Sequence, residues 1–378
     1  MIHLFIKNCR VFDGSTFMDG LQDIAVCGDA VTSITPAGTF TPSEPIHTII
    51  DARGAMASAG FIDMHAHVYP LWESGVYSES TFFPYCVTSA ADAGSAGSET
   101  IRSGLEGLAS CRADIRCFVN IAPAGLATLR CHPEYIDPAY INADKLHRLF
   151  AQYGDRLAGL KVRLGSEVAR EHGVEPLKAA AKLAREIGTR LMVHTTNPPV
   201  PMDEICSYLA PGDIFSHAFH DHGRNILDEN GQILPGVCEA KERGVIFDIG
   251  DAGWHFSFDV LRAALAQGIA PDTISTDITD NNMLRSGMFC LPMVMTKALT
   301  LGMALEDVLR AVTVTPGRAL GLPQRLENAG TADIALFTLR EHSLTLKDGN
   351  NNLIEAGRYI CPLMTVKRGA IVWRDMSI

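Results

Sequence analysis

Short apolar runs of strand length recur through the middle of the chain, each closed by turn residues and followed by a helical pattern. They are Phe61-Ile-Asp-Met-His65-Ala-His67, Cys86-Val-Thr-Ser-Ala-Ala-Asp92, Ile115-Arg-Cys-Phe-Val-Asn-Ile121, Gly159-Leu-Lys161-Val-Arg163-Leu164, Arg190-Leu-Met-Val-His194, Asp213-Ile-Phe-Ser-His217, Gly244-Val-Ile-Phe-Asp-Ile-Gly250 and Thr273-Ile-Ser-Thr-Asp277-Ile278. Between the fourth and fifth, residues Pro176 to Ile187 carry an amphipathic helical period that Gly188 should stop. Eight such runs alternating with helices over roughly 250 residues predict an α/β protein built on a (β/α)8 TIM-like barrel, whose reactive groups gather at the C-terminal ends of the strands.

The flanks read differently. Ile2 to Val11, Ile24 to Ile34 and Thr48 to Asp51 in front, and Ala332 to Phe337 and Met364 to Trp373 behind, are β patterns punctuated by turns such as Asp13-Gly14 and Gly28-Asp29. Neither terminal set can bury a face alone, so the two should pack together as a small β-sandwich domain formed from both termini, residues 1–55 and 323–378, beside a barrel of residues 56–322. Asp348-Gly-Asn-Asn-Asn352 reads as a loop.

The polar residues inside the barrel runs carry the candidate chemistry. Side chains alternate along a strand, so His65 and His67 share a face, and neutral imidazole is a favoured ligand of zinc-type cations. Lys161 falls on strand 4, His194 on strand 5, His217 on strand 6 and Asp277 on strand 8, so all of them converge on one barrel mouth. Each has a structural alternative: hydrogen-bonded core histidines for the imidazoles, and an N-cap for Asp277, although Thr279, Asp280 and Asn281 can fill that role. Arg163 follows Lys161 by two residues, which turns it to the same inward face, either to hold a substrate carboxylate or to make a structural ion pair.

The chain resembles the amidohydrolase superfamily of metal-dependent hydrolases over most of its length. Met64-His-Ala-His-Val-Tyr69, Asp92-Ala-Gly-Ser-Ala-Gly97, Leu160-Lys-Val-Arg163 and Pro271-Asp-Thr-Ile-Ser-Thr-Asp277 are similar to its amidohydrolase/deacetylase subgroup, often labelled dihydroorotase-like, whose members deacetylate α-hydroxy acids such as acetyl-(R)-mandelate. The resemblance implies two divalent metal ions, zinc by preference, held by His65, His67, Lys161, His194, His217 and Asp277. It implies carbon dioxide as a further component, because Lys161 would be N6-carboxylated. A lysine facing a barrel interior must lose its charge or find a counter-ion, and a carbamate is an anion able to bridge two cations; the alternatives are snorkelling to the rim or pairing with Asp92. Asp277 would act as general acid and base in cleaving an ester or amide bond of a small carboxylate-bearing molecule.

Substrate contacts are expected from Arg163, Tyr69, His220 and His255. Three loops depart from the subgroup: Ala218-Phe-His220-Asp-His222 after strand 6, Gly250-Asp-Ala-Gly-Trp254-His255 after strand 7, and Ile278-Thr-Asp-Asn-Asn282 after strand 8. They put a mandelate-type substrate in question and leave the metal set intact. Dihydroorotase-type enzymes place an arginine just after the His-x-His pair, where this chain has Val68-Tyr69-Pro70, so cyclic-amide hydrolysis is the second choice. A mononuclear deaminase would dispense with Lys161, and a non-catalytic scaffold would have lost ligands.

Composition narrows the partners. With 47% hydrophobic residues among 378 the chain can bury a barrel core, and a net charge of −11 without any basic block argues against nucleic acid or an anionic membrane. The expected partners are a small-molecule substrate and further copies of the chain. No apolar signal-peptide run or spanning helix is present in the sequence, which points to the cytoplasm. The ten cysteines form no Cys-x-x-Cys pair and read as buried fillers.

Overall fold

Fifteen strands follow one another along the computed structural model, which describes all residues except 1, 43, 44, 69–71, 73, 130, 132, 133, 135, 286 and 324. From the N-terminus come β1 (Leu4–Val11), β2 (Gln22–Cys27), β3 (Ala30–Pro36), β4 (Thr48–Asp51) and β5 (Met56–Ala59). The barrel wall is β6 (Phe61–Ala66), β7 (Val87–Gly97), β8 (Asp114–Asn120), β9 (Leu157–Arg163), β10 (Arg190–His194), β11 (Ile214–Ser216) and β12 (Ile246–Asp248). The chain ends with β13 (Ile334–Lys347), β14 (Leu353–Lys367) and β15 (Ala370–Arg374).

The seven barrel strands are parallel and pair in chain order, with Met192 beside Lys161 and Phe215 beside Val193 setting the register at the centre. The eighth position is taken by Thr273 to Ile278, as the sequence predicts, but through isolated bridges from Thr273 to Asp248 and from Ile278 to Ala66. The interruption has a local cause: the buried Asp63 carboxylate accepts both the Thr276 backbone N–H (3.1 Å) and the Thr276 hydroxyl (2.6 Å), so a side chain replaces a ladder rung. Asp277 N–H to His65 O (2.6 Å) and His67 N–H to Ile278 O (3.1 Å) still close the wall.

The helices return the chain on the outside. Glu175–Ile187 starts with a proline in its first turn, ends on Gly188 at φ 77°, and turns Leu177, Ala180, Leu183 and Ala184 onto the barrel. Each leucine so buried contributes about 1.5–3 kcal/mol.

Both termini build the second sheet, ordered β15-β14-β13-β5-β1-β2-β3, with β4 also on β1. β1 pairs with β2 and β4 near its start and with β5 at Arg10 and Val11. Its register shifts between Ile6 and Cys9, where Asn8 has φ 62°, and this bulge bends the strand from one layer of the sandwich into the other. Leu4, Ile6, Val11, Ile24, Val26, Ile334, Leu336, Met364 and Val366 form the enclosed core. A buried lysine welds sandwich to barrel: Lys367 Nζ lies 2.6 Å from both Asp114 of β8 and Asp333.

The β13–β14 hairpin runs much farther than its apolar ends suggest, and its turn at 348–352 is more than a connecting loop. Asp348 is buried and accepts the Phe258 N–H (3.1 Å), while Gly349 N–H donates to Phe256 O (2.8 Å), so the tip braces the segment after β12 at the barrel mouth. All ten cysteines are free, and burial pushes the thiols of Cys86 and Cys206 up to about 12. No helix among the described residues is long and apolar enough to cross a membrane.

Candidate metal centre

Asp277 organises the mouth of the barrel. It leaves the eighth wall segment at φ 50°, a conformation that costs a non-glycine residue strain and turns its carboxylate inward. Oδ1 lies 3.1 Å from His67 Nε2 and 3.3 Å from His65 Nε2, and Oδ2 lies 3.9 Å from His217 Nε2 and 3.8 Å from His255 Nε2. Lys161 is 1% exposed, with Nζ 3.4 Å from His65 Nε2 and no carboxylate within ion-pair distance among the described residues. Asp92, its alternative partner, instead accepts from Val68 N–H (2.9 Å) and from the Ser95 N–H and hydroxyl (both 2.8 Å). Asp277 does not cap the next helix either, since Thr279 Oγ1 accepts the Asn282 N–H (3.1 Å).

Groups behind these side chains fix their orientation. His67 Nδ1 meets Ser95 Oγ at 2.8 Å, and that hydroxyl donates to Asp92; His65 Nδ1 meets Ser216 Oγ at 2.7 Å, and that hydroxyl donates to Asp248 at 3.0 Å. Asp248 is held in turn by the hydroxyls of Thr273 (2.7 Å) and Ser275 (2.7 Å). His217, at φ 60°, donates Nδ1–H to Gly250 O (2.8 Å), which leaves Nε2 with its lone pair inward. Such partners set the tautomer that a metal ligand needs.

The electrostatics set an ionised carboxylate beside neutral imidazoles. Burial alone would raise the Asp277 carboxyl, yet the charge and hydrogen bonds of His65, then His67, hold it well below the ordinary carboxylate range. Burial and Lys161 push His65 down, but Asp277 and Asp248 prevail and raise it. Burial, then the neighbouring imidazoles, keep His194 and His217 neutral, far below the usual histidine range. Burial lowers Lys161 to about 8.

His217 Nε2 decides the fit to a metal: it is a buried nitrogen without a hydrogen-bond partner among the described residues, pointed at a carboxylate and other imidazoles. Leaving such an atom unpaired costs about 1–3 kcal/mol, which a coordinated cation recovers. Among the described residues, two overlapping groups have ligand atoms within 4.8 Å of one another, His65 with His217 and Asp277, and His194 with His217 and His255. A set of imidazole nitrogens and carboxylate oxygen suits a zinc-type divalent ion.

The cavity above these residues measures about 680 Å³ and is lined by His65, His67, Trp72, Lys161, Arg163, His194, Trp254, His255, Asp277 and Arg285, among others. Every predicted metal-binding residue except His217 thus faces it directly, and His217 lies just beneath. Arg163 lines it too, with one nitrogen 2.7 Å from the buried Glu134, so it makes an ion pair while remaining at the cavity wall. His220 is not brought there: its Nε2 meets Thr195 O (2.9 Å), its Nδ1 accepts from His222 N–H (3.1 Å), and burial lowers it to about 4. His222 stacks on Trp254 at 4.3 Å. Tyr69 lies outside the described residues.

Sequence reasoning passed over Glu134, Trp72 and Arg285. Trp72 packs edge-on to His67 at 5.0 Å, and Arg285 has no acidic partner among the described residues. All three sit in loops or a loop-borne helix, where no periodicity marks an inward side chain; an aromatic five residues past His67 was the available hint.

No family model matches the chain. A deacetylase of Agrobacterium fabrum is 30% identical over 351 residues, spanning 91% of this chain and 85% of its own. Two solved structures superpose with TM-scores of 0.90: one described as an adenine deaminase, 27% identical and covering 99% of this chain and 100% of its own, and one described as a dihydroorotase, 28% identical and covering 98% of each. With a relative of that identity spanning most of both molecules, and a histidine-lined mouth on a barrel paired with a terminal sandwich, this chain belongs to the amidohydrolase superfamily of metal-dependent hydrolases, on its deacetylase-like side.

Proposed function

We propose that the chain is a binuclear hydrolase cleaving the ester or amide bond of a small acylated molecule that carries a carboxylate, in the manner of a deacetylase. The observation that carries this reading is the buried His217 Nε2, without a hydrogen-bond partner among the described residues, beside an Asp277 carboxylate that also meets His65 and His67. His65, His67, Lys161, His194, His217 and Asp277 would hold the two ions, with zinc the metal their chemistry suits. Divalent metal bound there supplies Lewis acidity to an attacking water and to the scissile carbonyl.

The chain's own groups do the rest. Asp277 starts ionised, lines the cavity, and accepts the proton of the attacking water at a carboxylate oxygen, then returns it to the leaving oxygen or nitrogen. Lys161, lowered to about 8, has a neutral fraction near neutral pH whose lone pair can add to carbon dioxide. The N–C bond forms, one C=O electron pair moves to oxygen, and an N–H proton goes to solvent, so a buried neutral amine becomes a buried anion. Arg163 at the cavity wall is the anchor for a substrate carboxylate. Trp72, Leu126 and Leu129 supply apolar surface for the acyl or side-chain portion.

A second reading, cyclic-amide hydrolysis, draws on the dihydroorotase-described neighbour and on the same metal set. A panel of acetylated hydroxy acids, N-acyl amino acids, cyclic imides and neutral methyl esters, assayed with and without chelator, separates the two. Turnover of acylated acids that chelator abolishes is the expected result. Turnover of cyclic imides alone favours the second reading, and chelator-insensitive hydrolysis defeats both.

A further inference from the structure

The segment after β12 coils back over the barrel mouth through three left-handed residues, Gly250 (φ 56°), Ala252 (φ 52°) and Gly253 (φ 68°), and delivers His255 to the metal cluster. The turn is fastened from within. Trp254 N–H (3.0 Å) and His255 N–H (2.8 Å) both donate to Asp251 O, Gly253 N–H donates to Asp251 Oδ1 (2.9 Å), and Asp251 Oδ2 pairs with the buried Lys297 at 2.6 Å. Neither partner of that ion pair is counted among the donors around Asp277. A buried pair is expensive to desolvate, and what it secures here is the position of one turn. The hairpin tip adds the contacts of Asp348 and Gly349 to the residues that follow.

The imidazole is fixed as firmly as the backbone. His255 Nδ1 lies 2.9 Å from Thr196 Oγ1, a contact that holds the ring and, with the hydroxyl as acceptor, leaves Nε2 its lone pair. Nε2 points inward: it is 3.8 Å from Asp277 Oδ2, and the ring centre is 4.3 Å from that of His217 and 5.0 Å from that of His194. The ligand atoms of His194, His217 and His255 lie within 4.8 Å of one another. Ligand nitrogens around one tetrahedral zinc-type ion sit about 3.4 Å apart, a spacing that small side-chain adjustments reach from there. A histidine serving only to read substrate has no need of a tautomer-setting partner behind it and of two ligand imidazoles around its free nitrogen.

We propose that His255 is a third imidazole ligand for the cation held by His194 and His217. The inference rests on the metal-binding reading above and deepens it: a three-histidine set is complete without Lys161, so one of the two cation positions does not depend on lysine carboxylation. The Asp277, His65 and His67 position does not share this independence, because Lys161 Nζ lies beside His65.

The test is cobalt(II) binding to the full chain, read by elemental analysis, by competition with a chromophoric chelator, and by the visible ligand-field absorption of the bound ion. Lys161→Met should keep about one cobalt per chain. Adding His255→Ala should weaken that remaining ion by at least about tenfold and change its absorption, since loss of even a partner behind a ligand costs about 10–100-fold. Thr196→Val in the Lys161→Met background, which keeps the imidazole and removes only its orienting hydroxyl, should give a smaller loss and guards against a folding artefact in the alanine variant. Lys161→Met and the double variant with equal cobalt affinity and equal spectra would overturn the proposal and make His255 a substrate contact. A wild-type chain that binds no cobalt would instead sink the metal reading itself.

Discussion

Gly94 offers a sharp test of how Lys161 is held. It lies on β7 with φ 89°, and a Cβ added there would stand 2.6 Å from Lys161 Cγ and 2.7 Å from Lys161 Cβ. Two penalties combine in Gly94→Ala. A side chain in a left-handed conformation costs about 1–2 kcal/mol, and forcing a methyl into a packed core costs about 1–3 kcal/mol more. Gly54 isolates the first penalty, because it has a similar φ of 85° with nothing within 4 Å of an added Cβ. Denaturant unfolding of chelator-treated protein should therefore show a loss of about 1–2 kcal/mol for Gly54→Ala and about 2–5 kcal/mol for Gly94→Ala. Only Gly94→Ala should also lose metal, since its displaced neighbour is the amine beside His65. Equal destabilisation of the two variants, with wild-type metal content in both, would refute the claim that close packing on Gly94 positions Lys161.

Three further outcomes follow from the same geometry. Asp277→Asn, compared at matched metal content, should lower turnover by about 10²-fold or more, and an unimpaired rate would remove Asp277 from proton transfer. Arg163→Met should cost anionic substrates about 1.5–3 kcal/mol in kcat/KM and leave neutral esters nearly untouched; equal effects on both would make Arg163 purely a partner of Glu134, with Arg285 the next anchor to test. Asp63 is raised by burial from its ordinary 3.8 to about 7, so between those values the unfolded chain is ionised there while the folded chain is not. Metal-free wild type should accordingly lose stability relative to Asp63→Asn as pH rises from about 4 to about 7, with no further loss above, and parallel denaturation midpoints across that range would contradict it.

Much of the site was legible because it lies on barrel strands or immediately after them. Period-2 alternation turns His65 and His67 to one face, and strand-length apolar runs locate Lys161, His194, His217 and Asp277 without any tertiary information. What escaped depends on turns and on distant partners. His255, expected at the mouth as a substrate contact, reaches the metal-ligand cluster through the left-handed Gly250, Ala252 and Gly253, a path that no hydrophobic pattern encodes. Arg163 meets Glu134, which comes from a loop 29 residues earlier in the chain. His220 looked like a mouth residue from its place beside His217, yet the backbone of Thr195 and His222 claims both its nitrogens. The eighth wall segment was found in sequence, while its interruption by the Asp63 carboxylate was not, because one buried side chain replaces a backbone rung. The β13–β14 hairpin was seen only at its apolar ends, since its middle is exposed and mixes charged with apolar residues.

The central claim is that the donors around Asp277 hold two divalent ions. Elemental analysis of protein purified without chelator, then equilibrated with zinc and bicarbonate, tests it directly. The account predicts about two ions per chain, falling when Asp277 or His217 is replaced. A ratio that stays at about one under excess zinc and bicarbonate, or wild-type content in a His217→Ala variant, would contradict it.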